Sequence, residues 1–152
     1  MTSPLDGAYR FETFVIGASN RLAASAALAV ADAPGTAYNP LFVYGGSGLG
    51  KTHLVVALAH HARGARPELR IEFSTGEEVA GQLLQAIASG QQGTFTQRYQ
   101  QVDLLVLDDV QASAGQNIMS LLLNMSELST GAYILQLGTD GGSYLYPFVV
   151  QK

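Results

Sequence analysis

The sequence predicts a three-layer α/β fold with a parallel central sheet. Short apolar runs bounded by turn residues alternate with segments of helical periodicity, which is typical of strand–helix–strand units. The length of 152 residues suits one domain, and a hydrophobic content of 47% argues against disorder. The alternation breaks near the end of the chain, where a tight turn separates the strand candidates 132–137 and 144–150. We therefore add a C-terminal β-hairpin to the predicted fold.

Charge and cysteine content exclude several classes of function. The net charge is −4, with 8 basic and 12 acidic residues, so the chain does not coat nucleic acid through bulk charge. The absence of cysteine excludes disulfide scaffolds, thiolate zinc sites and cysteine nucleophiles. The apolar run 22–33 is shorter than the roughly 20 residues that span a bilayer, and no signal peptide is recognisable. We expect a cytoplasmic protein with no membrane partner.

The elements before and after the first strand can be assigned in order. Residues 1–10 are predicted to form a leader, and Ser19-Asn20 can cap the first helix. Ser74-Thr75 followed by Glu77-Glu78 is a capping signal for a later helix. The predicted elements are a helix (21–32), a strand (41–44), a Gly-rich loop (45–50), a helix (51–62), a strand (70–73), a helix (77–88), a helical turn (95–99), a strand (102–107) and a helix (117–128).

The Gly-rich loop fits the phosphate-loop pattern G-x-x-x-x-G-K-[ST], where glycines let backbone N–H groups turn toward phosphate oxygens. The helix that follows directs the positive end of its dipole at the same anion. Lys51 is predicted to reach the β and γ phosphates, and Thr52 to offer its hydroxyl to Mg²⁺. The strand before and the helix after favour this interpretation over a Gly-rich turn that matches by chance. The loop residues are Gly45, Gly46, Ser47, Gly48, Leu49, Gly50, Lys51 and Thr52.

A second acidic motif follows the apolar run 104–107, at the strand end where ligands bind in such sheets. Asp108 is predicted to hold Mg²⁺, and Asp109 to orient or deprotonate the attacking water. The alternative is that the two aspartates cap the next loop. We favour the catalytic interpretation because the phosphate loop stands 57 residues earlier.

Three segments in the expected order resemble the bacterial replication initiator family, DnaA, and its AAA+ relatives. Residues 38–54 resemble the family's phosphate-loop region, and 95–111 resemble the stretch leading into its second acidic motif. Residues 14–20 resemble the segment ahead of the phosphate loop. This last resemblance implies that four residues border the adenine and ribose, namely Val15, Ile16, Gly17 and Asn20. His53, next after the loop, is included among the nucleotide-binding residues, with a purely structural place in the helix as the alternative.

The resemblance implies a truncated AAA+ core of the P-loop NTPase type over residues 11–128, with ATP and Mg²⁺ as cofactors. It implies ATP or ADP, single-stranded DNA and other initiator subunits as partners. Residues 77–88 lie where the family carries its initiator-specific helices, which touch single-stranded DNA. No arginine finger, sensor-2 arginine, lid or helix-turn-helix segment follows in this sequence. We therefore expect ATP binding with little hydrolysis by the chain alone.

Two alternative functions remain for the chain, and two of its segments have alternative interpretations. The chain can be an initiator-like regulator or loader that acts through protein contacts, or a non-functional truncated or chimeric fragment. Residues 128–152 also resemble the last hairpin of Bacteroidetes secretion-sorting tails, so the segment 129–152 is of uncertain origin. If 133–140 is instead the next central strand, Thr139 or Asp140 takes the sensor-1 position. The arginines at 63, 66 and 70 form a solvated loop or, alternatively, a DNA patch.

Overall fold

The computed structural model describes residues 7–38, 41–45, 48–111 and 132–138, and these form a four-stranded parallel sheet with helices on both faces. The strand order is β1-β4-β3-β2, which confirms the predicted parallel three-layer architecture. The elements are the 3₁₀-helix Phe11–Thr13, α1 (Arg21–Asp32), β1 (Leu41–Gly45), α2 (Lys51–Ala65), β2 (Ile71–Thr75), α3 (Gly76–Ala88), α4 (Gln92–Gln100), β3 (Leu104–Gln111) and β4 (Ala132–Gly138).

The first face of the sheet is covered by α1 and α2, which pack against each other. α1 is rich in alanine, and its buried side is almost all alanine, so it can approach α2 closely. Leu104 and Val106 of β3 belong to the same buried cluster as α1, α2 and β1. This cluster is the main core of the chain, and it holds the start of α2 in place.

The opposite face of the sheet carries α3 and α4. Side chains alternate along a strand, so Leu105 and Leu107 point to the face opposite the main core, and both are fully buried. An ion pair of 2.7 Å between Glu72 of β2 and Arg98 of α4 bridges the sheet and this layer. Phe95 is buried on α4 beside Tyr99, and this apolar face explains why α4 is longer than the predicted turn.

The start of α3 confirms the predicted capping signal. The hydroxyl of Thr75 accepts from the backbone N–H of Glu78 at 3.2 Å, and the Glu78 carboxylate accepts from the Thr75 N–H at 2.9 Å. Ser74 adds a third bond, since its hydroxyl donates to the same carboxylate at 2.8 Å. This reciprocal capping box satisfies donors that a helix start otherwise leaves without partners.

β4 is a central strand that runs parallel to both of its neighbours, β1 and β3. It is the first strand of the predicted hairpin, and the second, 144–150, lies outside the described residues, as does the predicted helix 117–128. The division at residue 129 therefore stays a prediction. Among the described helices, none is long and apolar enough to cross a membrane.

Candidate functional site

The loop between β1 and α2 has the backbone form that a phosphate cradle needs. Gly48 and Gly50 adopt φ angles of +77° and +85°, in the left-handed region that side-chain-bearing residues rarely occupy. Gly50 is the N-cap of α2, which begins at Lys51 as predicted. The first N–H groups of such a helix are available to an anion. Gly46 and Ser47 lie outside the described residues, and Leu49 is exposed at the loop surface.

The predicted magnesium ligands come together at the carboxyl end of the sheet. The hydroxyl of Thr52 lies 3.4 Å from Oδ1 of Asp108, which is compatible with a weak hydrogen bond. β3 has one extra residue here, because its register with β4 passes from Leu107 directly to Val110. β3 thus continues through Asp108 and Asp109 instead of ending at Leu107 as predicted. Only the backbone of Asp109 is described, so the role of its side chain stays a prediction.

These oxygens suit a hard divalent cation. Mg²⁺ is usually held by one or two protein oxygens, with phosphate oxygens and water completing its shell. The described ranges hold no group of three or more acidic or histidine side chains that could bind a metal by themselves. A hydroxyl and a single carboxylate beside a phosphate loop fit a magnesium ion that arrives with a nucleotide. They do not resemble a closed structural metal site.

The predicted base-binding segment forms a loop that we call the base loop, residues Val15, Ile16 and Gly17. Val15 is 85% exposed and Ile16 is 55% exposed, so both present apolar surface that a planar base could cover. Asn20 is the N-cap residue of α1, as predicted, but its side chain makes no capping hydrogen bond and turns back onto the base loop. Its Oδ1 accepts from the Gly17 N–H at 2.7 Å, and its Nδ2 donates to the Val15 carbonyl at 2.9 Å. Asn20 therefore fixes the shape of the base loop.

His53 lies in the first turn of α2, and its ring contacts the N-terminal segment. Nε2 lies 2.9 Å from the carbonyl oxygen of Arg10 and 3.2 Å from Oγ1 of Thr13. The ring also packs against Tyr9 and Phe14, with centroids 4.9 and 5.2 Å away. The described contacts of the side chain thus fit the structural alternative for His53, and a direct contact with the nucleotide stays a prediction.

Sequence reasoning missed the contacts that Tyr9, Arg10 and Phe14 make with the start of α2. We assign the first two to the leader, yet they contact His53, and a Cβ added to Gly50 would lie 3.1 Å from the Phe14 ring. The only signal in the sequence is the aromatic spacing of the segment, which does not identify a partner about 40 residues away.

Three basic side chains near the end of α2 and just after it make contacts within the fold, namely His61, Arg66 and Arg70. His61 Nε2 lies 2.9 Å from the Asp32 carboxylate, which ties α2 to α1. Arg66 donates to the Asp32 carbonyl, and Arg70 pairs with Asp103 at 3.4 Å. These contacts favour the structural interpretation of the basic cluster over a DNA patch.

The chain is similar to known proteins both in sequence and in structure. The family model of the bacterial DnaA ATPase domain matches residues 5–128. The chromosomal replication initiator protein DnaA of Thermus thermophilus is 50% identical over 112 residues, which are 74% of this chain and 26% of that protein. The chain therefore spans about a quarter of the length of the curated relatives that it matches.

Two solved structures extend the likeness to the fold. Domain III from the Thermotoga maritima replication initiation protein DnaA matches with a TM-score of 0.77 and 38% identity, over 90% of this chain and 58% of that one. The replication initiator DnaA bound to AMPPCP and single-stranded DNA matches with a TM-score of 0.73 and 31% identity, over 91% and 46%. Since the family model covers most of its residues, the chain belongs to the bacterial DnaA ATPase-domain family.

Proposed function

We propose that this chain binds ATP together with Mg²⁺ at the loop between β1 and α2, as the nucleotide-binding module of a replication initiator. The observation that carries the proposal is the 3.4 Å contact between Thr52 Oγ1 and Asp108 Oδ1. It brings the helix start that would receive the phosphates next to the carboxylate that would hold the metal. A hydroxyl, a carboxylate and phosphate oxygens together are a ligand set that Mg²⁺ prefers.

Each part of the nucleotide has a partner in the proposal. The glycine loop and the N-terminus of α2 would hold the phosphates, with Lys51 on the β and γ groups. The base loop would lie along the adenine and ribose, shaped by Asn20. Asp109 would orient the attacking water. A relative solved with AMPPCP supports an adenine nucleotide as the ligand.

Titration of a fluorescent ATP analogue, with and without Mg²⁺, tests the proposal. We expect Lys51→Ala to weaken binding by at least about tenfold, or ~1.4 kcal/mol, because a cation that contacts two phosphates is lost. Arg63→Ala is the matched control, since it removes an exposed cation from the last turn of the same helix. Circular dichroism establishes that both variants fold. Equal affinity of Lys51→Ala and the parent would show that the phosphate-loop assignment is wrong.

Single-stranded DNA and further initiator subunits are the partners that we propose for the nucleotide-bound state. Support comes from the relative solved with single-stranded DNA. It also comes from the sequence resemblance, which implies that residues 77–88 correspond to the family's DNA-contacting helices. α3 carries no lysine or arginine, and Leu84 and Ile87 are exposed on it. One copy therefore has little charge to offer to phosphates, and binding would need several copies along the strand. Anisotropy of a labelled oligothymidine with ATP, compared with ADP, measures this.

The position of β4 bears on the interpretation of the chain as a chimeric fragment. β4 lies between β1 and β3, with Gly138 opposite Gly45 at the start of the phosphate loop. This supports the proposal that residues 132–138 belong to the nucleotide-binding module. The cytoplasm is the compartment that we propose, as the sequence analysis expects.

A further inference from the structure

The side chain of His53 connects the start of α2, where the proposed function puts the phosphates, with the segment Tyr9–Phe14, which leads into the base loop. His53 directly follows Lys51 and Thr52 in the first turn of α2. Its Nε2 is within hydrogen-bond distance of the Arg10 carbonyl and of Thr13 Oγ1. A carbonyl oxygen can only accept, so this contact requires the tautomer in which the Nε2–H of His53 donates the hydrogen bond to the Arg10 carbonyl.

Ring packing strengthens the same connection. The rings of Tyr9 and Phe14 flank the imidazole, Phe14 at a near-perpendicular 73°. Such edge-to-face pairs are favourable beyond the surface that they bury. Phe14 also lies over Gly50, the last residue of the glycine loop, where even a methyl group would be only 3.1 Å from the ring. The segment Tyr9–Phe14 is thus packed on the end of the phosphate loop.

The base loop begins at the next residue, Val15, and its far side is closed by Asn20. On its N-terminal side, the base loop is preceded by Thr13 and Phe14, which contact His53 of α2. Because Val15 and Ile16 are themselves exposed, the position of the base loop relative to Lys51 depends on these flanking contacts. A change in the His53 contacts would therefore change the distance between the base-binding and phosphate-binding surfaces.

We propose that His53 is a positioning residue. It fixes the position of the base loop relative to the phosphate loop, so that the base and the phosphates of one nucleotide can be bound at the same time. This inference rests on the proposed function and deepens it. His53 touches neither end of the nucleotide in this scheme and acts through Arg10, Thr13 and Phe14. With the base loop held in place, contacts with the base increase the affinity beyond what the phosphates alone provide, because a preorganised site loses less entropy on binding.

The test compares ATP with inorganic tripolyphosphate, both with Mg²⁺, on the 152-residue chain. We expect His53→Phe, which keeps an aromatic ring and loses the donor, to weaken ATP binding by about tenfold. Tripolyphosphate affinity should not change, because the phosphate loop itself is intact. His53→Gln, whose amide can donate to the same carbonyl, should recover part of the ATP affinity. His61→Phe is the matched control on the same helix, because it keeps the ring that packs against Phe11 and loses only the contact with Asp32. Its ratio of ATP to tripolyphosphate affinity should equal that of the parent.

A second measurement needs no nucleotide. Hydrogen exchange of the peptide containing Val15, Ile16 and Gly17 should become faster in His53→Phe and should not change in His61→Phe. The inference is overturned if His53→Phe loses ATP and tripolyphosphate affinity equally, or loses neither, or if exchange of the base loop is unaltered. Failure of the proposed function is different, because the parent chain would then bind neither ligand or Lys51→Ala would bind both normally.

Discussion

The hydroxyl of Thr52 and the carboxylate of Asp108 lie 3.4 Å apart, although 56 positions separate them in the chain. Thr52 lies at the carboxyl edge of the sheet because α2 begins there, and Asp108 lies there because it is near the end of β3. The extra residue in β3 falls between Leu107 and Val110, so the strand bulges where Asp108 stands. Bulges commonly re-aim side chains next to functional sites. This local irregularity is therefore part of how the chain places a carboxylate beside the phosphate loop.

We predict that Asp108→Asn reduces the gain in ATP affinity that Mg²⁺ provides, by about tenfold or ~1.4 kcal/mol. Replacing a carboxylate by an amide removes the charge that attracts the cation and keeps the shape. Asp103→Asn is the control, because Asp103 precedes the same strand and pairs with Arg70 away from the site. Isothermal titration with and without Mg²⁺ measures both. An unchanged Mg²⁺ effect in Asp108→Asn would contradict the assignment of this carboxylate.

Gly50→Ala should lower the free energy of unfolding by roughly 1–2 kcal/mol, the cost of a left-handed conformation for a residue with a Cβ. Its φ is +85°, and the new methyl group would also press on Phe14 at 3.1 Å. Gly64→Ala, in the exposed last turn of α2 where a Cβ meets nothing within 4 Å, should instead raise stability, by at most about 0.5–1 kcal/mol. Urea unfolding measures the free energy of unfolding of both variants. A change of the same sign at both positions would contradict the prediction.

Acid stability should depend on Glu78. The backbone N–H of Thr75, and then the hydroxyl of Ser74, hold the pKa of Glu78 below its usual 4.5. A carboxyl whose pKa is lower in the folded state stabilises the fold above the unfolded pKa, and this contribution is lost as pH falls through the folded pKa. Glu78→Gln should therefore flatten the fall in stability below pH 4.5. Glu77→Gln is the control, because it removes a neighbouring exposed carboxylate that lies outside the capping box. Thermal melts between about pH 3 and pH 6, which spans the carboxyl titration range, compare the two variants with the parent.

Local patterns predicted the parts of the fold whose causes are local. The helix start at Lys51 and the Thr75–Glu78 capping box follow from adjacent residues, and both are found in the structure. The end of β3 could not be predicted in this way, because Asp108 looks like a strand terminator in the sequence. In the structure the pairing with β2 reaches Asp108, and the pairing with β4 continues beyond it to Gln111. The ring of His53 likewise contacts residues about 40 positions away, and no local pattern encodes such a contact.

ATP turnover by the 152-residue chain alone should be far slower than that of a competent NTPase. An arginine at the γ-phosphate typically contributes about 10³–10⁵ in rate. Among the described residues, Arg66, Arg70 and Arg98 already contact Asp32, Asp103 and Glu72, and the sequence identifies none of the other arginines as an arginine finger. Phosphate release under saturating ATP and Mg²⁺ measures the rate. Turnover on the order of 1 s⁻¹ or faster, within the usual enzyme range, would refute the prediction.

Duplex DNA should bind weakly and without sequence preference to this chain. Affinity for a duplex depends on the number of phosphates that lysine and arginine neutralise, and the net charge here is −4. Within the one basic cluster, Arg66 and Arg70 already have partners in the fold. Anisotropy titrations at about 0.15 M salt, with an origin-like duplex and a scrambled one, should give equal and weak affinities. A salt series should give a shallow slope, because each phosphate contact contributes about −0.9 to it. A clear preference for the origin-like duplex, or a steep slope, would show that the chain has a duplex-reading surface that its charge distribution does not predict.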